Sequence, residues 1–357
     1  MQNRKLMILI GGAGFIGKHL IVDNIKNEDI DILIIDKLQE PIKLMMITHV
    51  EDWSNVCAMA IDLEKESLVK KLVGNNIGDF NLMEYKYISI FHLASPVGVN
   101  NHQGSTFYDA MFINQNVYQF ADTISKLVNP QSNLYFFYTS TSEIFGNYEY
   151  IDKEDDIKPN IQLDSFFDPE LEDGGFRSDY IYQKLLGENL FSQLNRRYSI
   201  KILRLFNIVG RYQDPAKGVF AKFIHAILDQ EDCIVSDRSI RCYTSIYELL
   251  EYVEDNLIRW NDKPYYHNIV TEEFKTSLTS EELYLYLWGY IKKKYFFDKD
   301  LPIKYTLEDI PNEIRVRGKK ETMSYSQFQK YFGGIIEDIC SEKQRLAEEK
   351  LVENNNE

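Results

Sequence analysis

"LMILIGGAGFIG", residues 6–17, decides the fold. Five consecutive apolar residues, Leu6 to Ile10, read as a strand buried on both faces, as in a parallel sheet covered by helices. The loop that follows holds glycines at positions 11, 12, 14 and 17 and runs into a helical pattern from Phe15. Gly11 permits a tight turn, Gly14 lets the backbone approach a diphosphate, and Gly17 allows the new helix to pack on the strand. The N–H groups of the first helical turn, with Phe15 and Ile16 beside them, then face an anion at the positive end of the helix dipole.

Asp36 closes the second apolar run, about 20 residues beyond the loop, where a carboxylate accepts the ribose hydroxyls of a dinucleotide. It repels a 2′-phosphate, so the expected cofactor is NAD rather than NADP, although Lys37 stands next to it. Asp62 and Leu63, after a third strand pattern, are placed to meet the adenine.

Outward from the loop, strand patterns at Leu6–Ile10, Asp31–Ile35, Cys57–Ile61, Tyr87–His92, Leu134–Thr139 and Ile200–Leu205 alternate with helical patterns starting near Phe15, Ser67, Thr106 and Tyr180. Such alternation implies βαβ units, hence an α/β fold of the Rossmann type with a doubly wound parallel sheet. A chain of 357 residues exceeds the roughly 250–300 at which single cores stop growing. We therefore expect an NAD-binding domain over 1–175, with the chain returning at about 200–210. A smaller C-terminal α/β substrate-binding lobe over 176–335, with the catalytic helix at its start, and a helical to disordered acidic tail over 336–357 complete the expected plan.

The formal charge of −15 argues against a nucleic-acid surface. Any phosphate recognition must then come from local backbone N–H groups and a few arginines. Cys57, Cys233, Cys242 and Cys340 are far apart, with neither disulfide-framework nor metal-ligand spacing, and read as free thiols of a reducing compartment. No apolar run reaches the ~18 residues of a membrane span, and the N-terminal run is too short for a signal peptide. A cytoplasmic protein with no membrane partner is expected. His92 lies in a strand pattern and reads as a core residue, and the six histidines show no metal spacing.

The second informative region is "YTSTSEIFG", residues 138–146, followed by "RSDYIYQK", residues 177–184. Tyr180 and Lys184 are four apart in a helical pattern and so share a face. An ammonium beside a phenol favours the phenolate and lowers its pKa from ~10, and Thr141 would share the tyrosine's hydrogen bond to a substrate hydroxyl.

With these residues, the chain resembles the extended short-chain dehydrogenase/reductases that act on nucleotide sugars. The resemblance covers residues 5–250: the glycine loop, Asp36, Asp62, "FHLAS" with Leu93, Ala94 and Ser95 on the nicotinamide side, "STSEIFG", Tyr-x-x-x-Lys, and "RLFNIVG" at 204–210, all in family order. It implies that Thr141, Glu143, Tyr180 and Lys184 are catalytic, with Tyr180 and Lys184 also touching NAD. Members that dehydrate sugars carry Asp where this chain has Ser142, and a hydroxyl cannot readily protonate a leaving hydroxyl. The run Ser140-Thr141-Ser142-Glu143 looks most like the UDP-glucuronic acid decarboxylases.

On the substrate side the resemblance implies Ser142, Arg177, Asn207 and Arg241, with Arg315 or Arg317 for a sugar carboxylate. Departures are Arg238 and Ile240 in place of the usual Gly and Gln, and Arg211 where Pro is common. A homodimer is implied, paired through the helices near Thr106–Lys126 and Tyr180. Three functions follow: a nucleotide-sugar decarboxylase, a 4-epimerase or 4-oxidoreductase of a neutral nucleotide sugar, and a non-catalytic NAD-binding sensor or scaffold.

Overall fold

A computed structural model describes residues 4–37, 53–95, 105–145, 176–216, 218–236, 239–258, 266–269, 276–296, 301–308, 315–317 and 319–355. In chain order the first stretch gives β1 (Lys5–Ile10), α1 (Phe15–Asn24), β2 (Ile30–Asp36) and β3 (Val56–Ala60). The short strands β4 (Leu72–Val73), β5 (Asn76–Ile77) and β6 (Phe80–Asn81) follow, then β7 (Tyr87–His92), α2 (Ser105–Leu127), β8 (Asn133–Thr141), α3 (Phe176–Ser192) and β9 (Ser199–Leu205). The remainder comprises β10 (Asn207–Val209), α4 (Val219–Asp229), β11 (Cys233–Ser236), β12 (Ser239–Arg241), β13 (Tyr243–Ser245), α5 (Ile246–Ile258) and β14 (Tyr266–Ile269). It ends with β15 (Thr276–Thr279), α6 (Ser280–Tyr295), β16 (Tyr305–Glu308), β17 (Arg315–Arg317), β18 (Lys319–Thr322) and α7 (Tyr325–Asn355).

The principal sheet has the order β14-β9-β8-β7-β1-β2-β3, and its pairs from β9 through to β3 are parallel. Its strands are the continuous apolar runs of the sequence, with Ile8, Leu33, Ile90 and Phe136 fully buried. The chain winds one way from β1 through β2 to β3 and the other way from β7 through β8 to β9. The point where the order reverses therefore lies between β1 and β7, and it opens a crevice at the carboxyl ends of the strands. The loop after β7 is pinned to the end of β1: Leu93 N and Ala94 N donate to Ile10 O at 2.8 and 2.9 Å.

The chain divides into two compact units: Met1–Ile144, Asp156–Leu205 and Leu250–Asn268 form one, and Phe145–Asp155, Phe206–Leu249 and Ile269–Glu357 the other. The helix α3 thus belongs to the sheet unit rather than to the start of the second. Its Phe191 stacks on Phe136 with ring centroids 4.8 Å apart and joins the core that also holds Tyr138, Val117 and Phe120.

Two other expectations are corrected. The helical pattern near Ser67 forms only a short 3-10 turn, Leu68–Lys71, followed by the β4-β5-β6 meander. Gly74 and Gly78, at φ +59° and +54°, supply the left-handed residues of its turns. The stretch after residue 336 begins as core, not tail. One helix, α7, runs from Tyr325 to Asn355, and its Phe328, Phe332, Ile335, Ile336, Ile339 and Cys340, spaced by three and four, are buried in the second unit. There they pack with Phe220 and Phe223 of α4 and Leu283, Leu287 and Ile291 of α6.

Candidate active site

The glycine loop is built for close approach. Gly11 has φ +82°, and a Cβ there would lie 2.5 Å from Ala94 N. A Cβ on Gly17 would lie 2.2 Å from Gly12 O, so this helix can meet its loop only without a side chain. Gly14 caps α1 with no side-chain hydrogen bond, and the first turn carries no acidic residue. The turn's N–H groups are thus left for an anion that arrives from outside, with Phe15 and Ile16 as its first residues.

Asp36 ends β2, where its Oδ2 accepts from Ala13 N at 3.0 Å and ties the loop to the neighbouring strand. Asp62 follows β3 and closes its own turn, accepting from Glu64 N at 3.1 Å and pairing with Lys65 at 2.8 Å, which holds its carboxyl below the usual range. Leu63 beside it is buried. These residues fit NAD: a cradle that any Cβ would fill, an open helix N-terminus, and a carboxylate at the end of β2. Ser95, beyond Leu93 and Ala94, accepts from Gln183 Nε2 of α3 at 3.1 Å.

At the end of β8, Thr141 hydrogen-bonds the Tyr180 phenol and also accepts from Glu143 N at 3.2 Å. Ser142 is buried at the start of a 3-10 turn, Ser142–Phe145, which carries Glu143. Lys184, one turn beyond Tyr180, is buried; its Nζ donates to Thr139 O at 2.9 Å and stands 5.8 Å from the Tyr180 ring centroid. The structure therefore joins Thr141, Glu143, Tyr180 and Lys184 in one cluster within the sheet unit.

The electrostatics differ from the sequence expectation. Burial pushes Tyr180 up to about 12; the Thr141 hydrogen bond opposes this and the Glu143 carboxylate adds to it. A rise from burial thus stands in place of the lowering expected from the neighbouring lysine. Burial also pushes Lys184 down to about 8, against the attraction of Glu188. His92 is a core residue: burial pushes it down to about 3, and its Nε2 meets Asn114 Oδ1 at 2.9 Å.

In the second unit, Asn207 Nδ2 donates to Cys242 O at 2.9 Å and Arg241 Nε to Ser239 Oγ at 2.8 Å. The backbone register sets Arg317 beside Arg241 and Arg315 beside Ser239, so three arginines named from sequence meet on two adjoining strands. The side chains of Arg177, Arg315 and Arg317 lie outside the described residues. Sequence reasoning missed Glu188 as a member of the site, although its spacing of four from Lys184 was the available signal. Among the described residues no group of three His, Cys, Asp or Glu could hold a metal ion, and no helix is long and apolar enough to cross a membrane.

The fold is of the Rossmann class, with a dinucleotide-type glycine loop and with Thr141, Tyr180 and Lys184 gathered at the end of β8 and on α3. Residues 7–250 match the model of the NAD dependent epimerase/dehydratase family, and the chain belongs to that family. A Methanocaldococcus jannaschii protein provisionally named UDP-glucose 4-epimerase is 26% identical over 64% of this chain, which spans 65% of that relative's length. The UDP-N-acetyl-alpha-D-glucosaminuronate decarboxylase of Bacillus cytotoxicus is 26% identical over 70% of each chain. Among solved structures, the UDP-glucuronic acid 4-epimerase of Bacillus cereus, in complex with UDP-glucuronic acid and NAD, has a TM-score of 0.66 at 19% identity. It covers 95% of this chain and 99% of its own. This likeness shows the shared fold.

Proposed function

We propose that the protein oxidises the 4-position of a nucleotide-linked uronic acid and releases its carboxylate as carbon dioxide. The observation that carries this reading is Glu143 beside the Thr141–Tyr180 hydrogen bond, with Ser142 where a dehydratase keeps an acid. Gly11, Gly14, Gly17, Asp36 and the Leu93–Ser95 loop would hold NAD, which would supply the hydride acceptor. Tyr180 takes the proton of the sugar 4-hydroxyl, Thr141 orients that hydroxyl, and the buried Lys184 ammonium stabilises the negative oxygen. The ketone so formed is β to the 5-carboxylate, and the C5–carboxylate bond breaks with its electron pair passing into an enolate. Glu143 positions the sugar and assists return of a proton to that carbon.

Asn207, Arg241 and, in register with Arg241, Arg317 are the candidates for the substrate's diphosphate and carboxylate. The decarboxylase relative supports an acidic sugar. The 4-epimerase likenesses favour a second reading, in which the ketone is reduced from its other face without loss of carbon. A homodimer is part of the proposal, supported by Tyr108 and Phe112 on α2, which are 73% and 51% exposed. Four free thiols support a cytoplasmic setting.

The test is incubation with UDP-glucuronic acid and NAD, followed by mass spectrometry of the sugar nucleotide. Loss of carbon dioxide, abolished by Tyr180→Phe, is the expected result. An unchanged mass with a new stereoisomer would establish the epimerase reading, and turnover of neutral sugar nucleotides alone would refute the acidic substrate.

A further inference from the structure

Helix α3 carries a second charged residue on the face of Tyr180 and Lys184. The spacing 180, 184, 188 repeats every four residues, which stacks the three side chains along one side of the helix. Glu188 is buried, with 4% of its side chain exposed, and two other elements hold it. Ser140 Oγ of β8 donates to Oε1 at 2.5 Å. Arg204 of β9 donates through Nε to Oε1 at 3.0 Å and through Nη2 to Oε2 at 2.8 Å.

Ser140 and Arg204 are direct partners in the β8–β9 ladder. One carboxylate therefore fastens the catalytic helix to two adjoining strands, one residue before Thr141. A fork of this kind fixes both oxygens in direction as well as in place. Lys184 is anchored one residue earlier, on Thr139 O. The same few residues of β8 thus receive the lysine, the glutamate and, through Thr141, the tyrosine.

The groups facing Lys184 are few. The Tyr138 ring of β8 lies 5.3 Å and the Tyr180 ring 5.8 Å from its Nζ. His92 of β7 senses the lysine but is held neutral by burial, and Tyr138 stays protonated because burial and Glu188 raise it well above its ordinary value. Glu143 acts on Tyr180, and Arg204 is spent on Glu188. Glu188 is the one described anion that raises Lys184 against its burial.

We propose that Glu188, locked by Ser140 and Arg204, is a positioning residue that keeps the Lys184 ammonium charged and directed at the catalytic end of β8. The inference rests on the reading of Tyr180 and Lys184 as the catalytic pair. A neutral lysine could not stabilise a phenolate, so loss of the Glu188 charge acts on Tyr180 without touching substrate.

The experiment is a pH titration of Lys184 by NMR in the full-length protein with NAD, using lysine labelled at Cε and assigned by its loss in Lys184→Arg. Wild type should titrate near 8. Glu188→Gln should lower the midpoint by about one unit, which at neutral pH cuts the charged population roughly twofold. The basic limb of the turnover profile should move down by the same amount. Glu188→Asp should recover part of both shifts.

Because Glu188→Gln strands a buried Arg204, the double variant Glu188→Gln/Arg204→Met is measured beside it, with the same direction expected. An unmoved midpoint in folded variants, or a moved midpoint with an unmoved turnover limb, would overturn the proposal. Full activity in Tyr180→Phe would instead refute the catalytic reading, while the Lys184 titration would still report on Glu188.

Discussion

Gly17→Ala is a stringent perturbation of the cofactor loop, because its consequence follows from a single distance. A Cβ at this position would sit 2.2 Å from Gly12 O and 2.6 Å from Gly12 C and Cα. Ordinary contacts begin beyond 3.4 Å, so the clash is about 1 Å deep, and all its partners are backbone. No rotamer relieves it; either α1 moves off β1 or the loop opens.

Overpacking of this kind costs about 1–3 kcal/mol. For a folding unit of this size that lowers Tm by roughly 2–12 °C. The same movement carries the N-terminus of α1 away from the diphosphate, and an NAD affinity at least about tenfold weaker, ~1.4 kcal/mol, is expected. Gly14→Ala should be milder, since its Cβ would meet only Gly11 O at 3.2 Å.

Gly334 is the internal control. It lies inside α7 with nothing within 4 Å of an added Cβ, so Gly334→Ala should leave NAD binding unchanged and stabilise by about 0.5–1 kcal/mol. Thermal unfolding and calorimetric NAD titration of the full chain measure both quantities. A Gly17→Ala protein with wild-type Tm and wild-type NAD affinity would refute the reasoning.

Other expectations can be checked in the same preparations. Tyr180→Phe should reduce turnover by 100-fold or more, on the order expected for a lost proton acceptor, with a far smaller change in NAD affinity by titration. Glu143→Gln should reduce carbon dioxide release more than it reduces oxidation of the 4-position, as measured by product analysis against cofactor absorbance. Activity that depends on charged Lys184 should fall as pH rises through about 8, the value to which burial pushes it. His92 has a folded pKa below its unfolded one, so its neutral form's contribution is present above about 6.5 and is lost as pH falls towards about 3. His92→Gln should flatten the acid side of a chemical-denaturation profile over that window; an unchanged slope would show that His92 is not buried neutral.

Much of the sheet unit was legible because parallel strands covered on both faces leave uninterrupted apolar runs. Tyr87–His92 is a strand over the residues read from sequence. The region after Ser67 was misread because Leu68, Val69, Leu72 and Val73 imitate a helical period, whereas Gly74 and Gly78 set the chain into turns. The tail was placed too early because the seam of Phe328, Phe332, Ile335, Ile336 and Ile339 has its partners on α4 and α6, remote in sequence.

The same limit explains the candidate site. Tyr180 and Lys184 could be paired by helical spacing alone, and Asp36 by its distance from the glycine loop. The anchoring of Glu188 by Ser140 and Arg204 needs the β8–β9 register, and the direction of the Lys184 ammonium needs the position of Thr139 O. Both depend on chain segments separated by tens of residues. That is also why the expected lowering of the Tyr180 phenol by Lys184 gave way to a rise caused by burial.

Oxidation of the sugar at its 4-position is read out by a single turnover with UDP-glucuronic acid deuterated at that carbon. Mass spectrometry of the cofactor and of the sugar nucleotide follows the label. Deuterium on the cofactor, a slowed reaction relative to unlabelled substrate, and neither effect in Tyr180→Phe are expected. Product formed with the label never leaving the sugar, and at an unchanged rate, would contradict that oxidation.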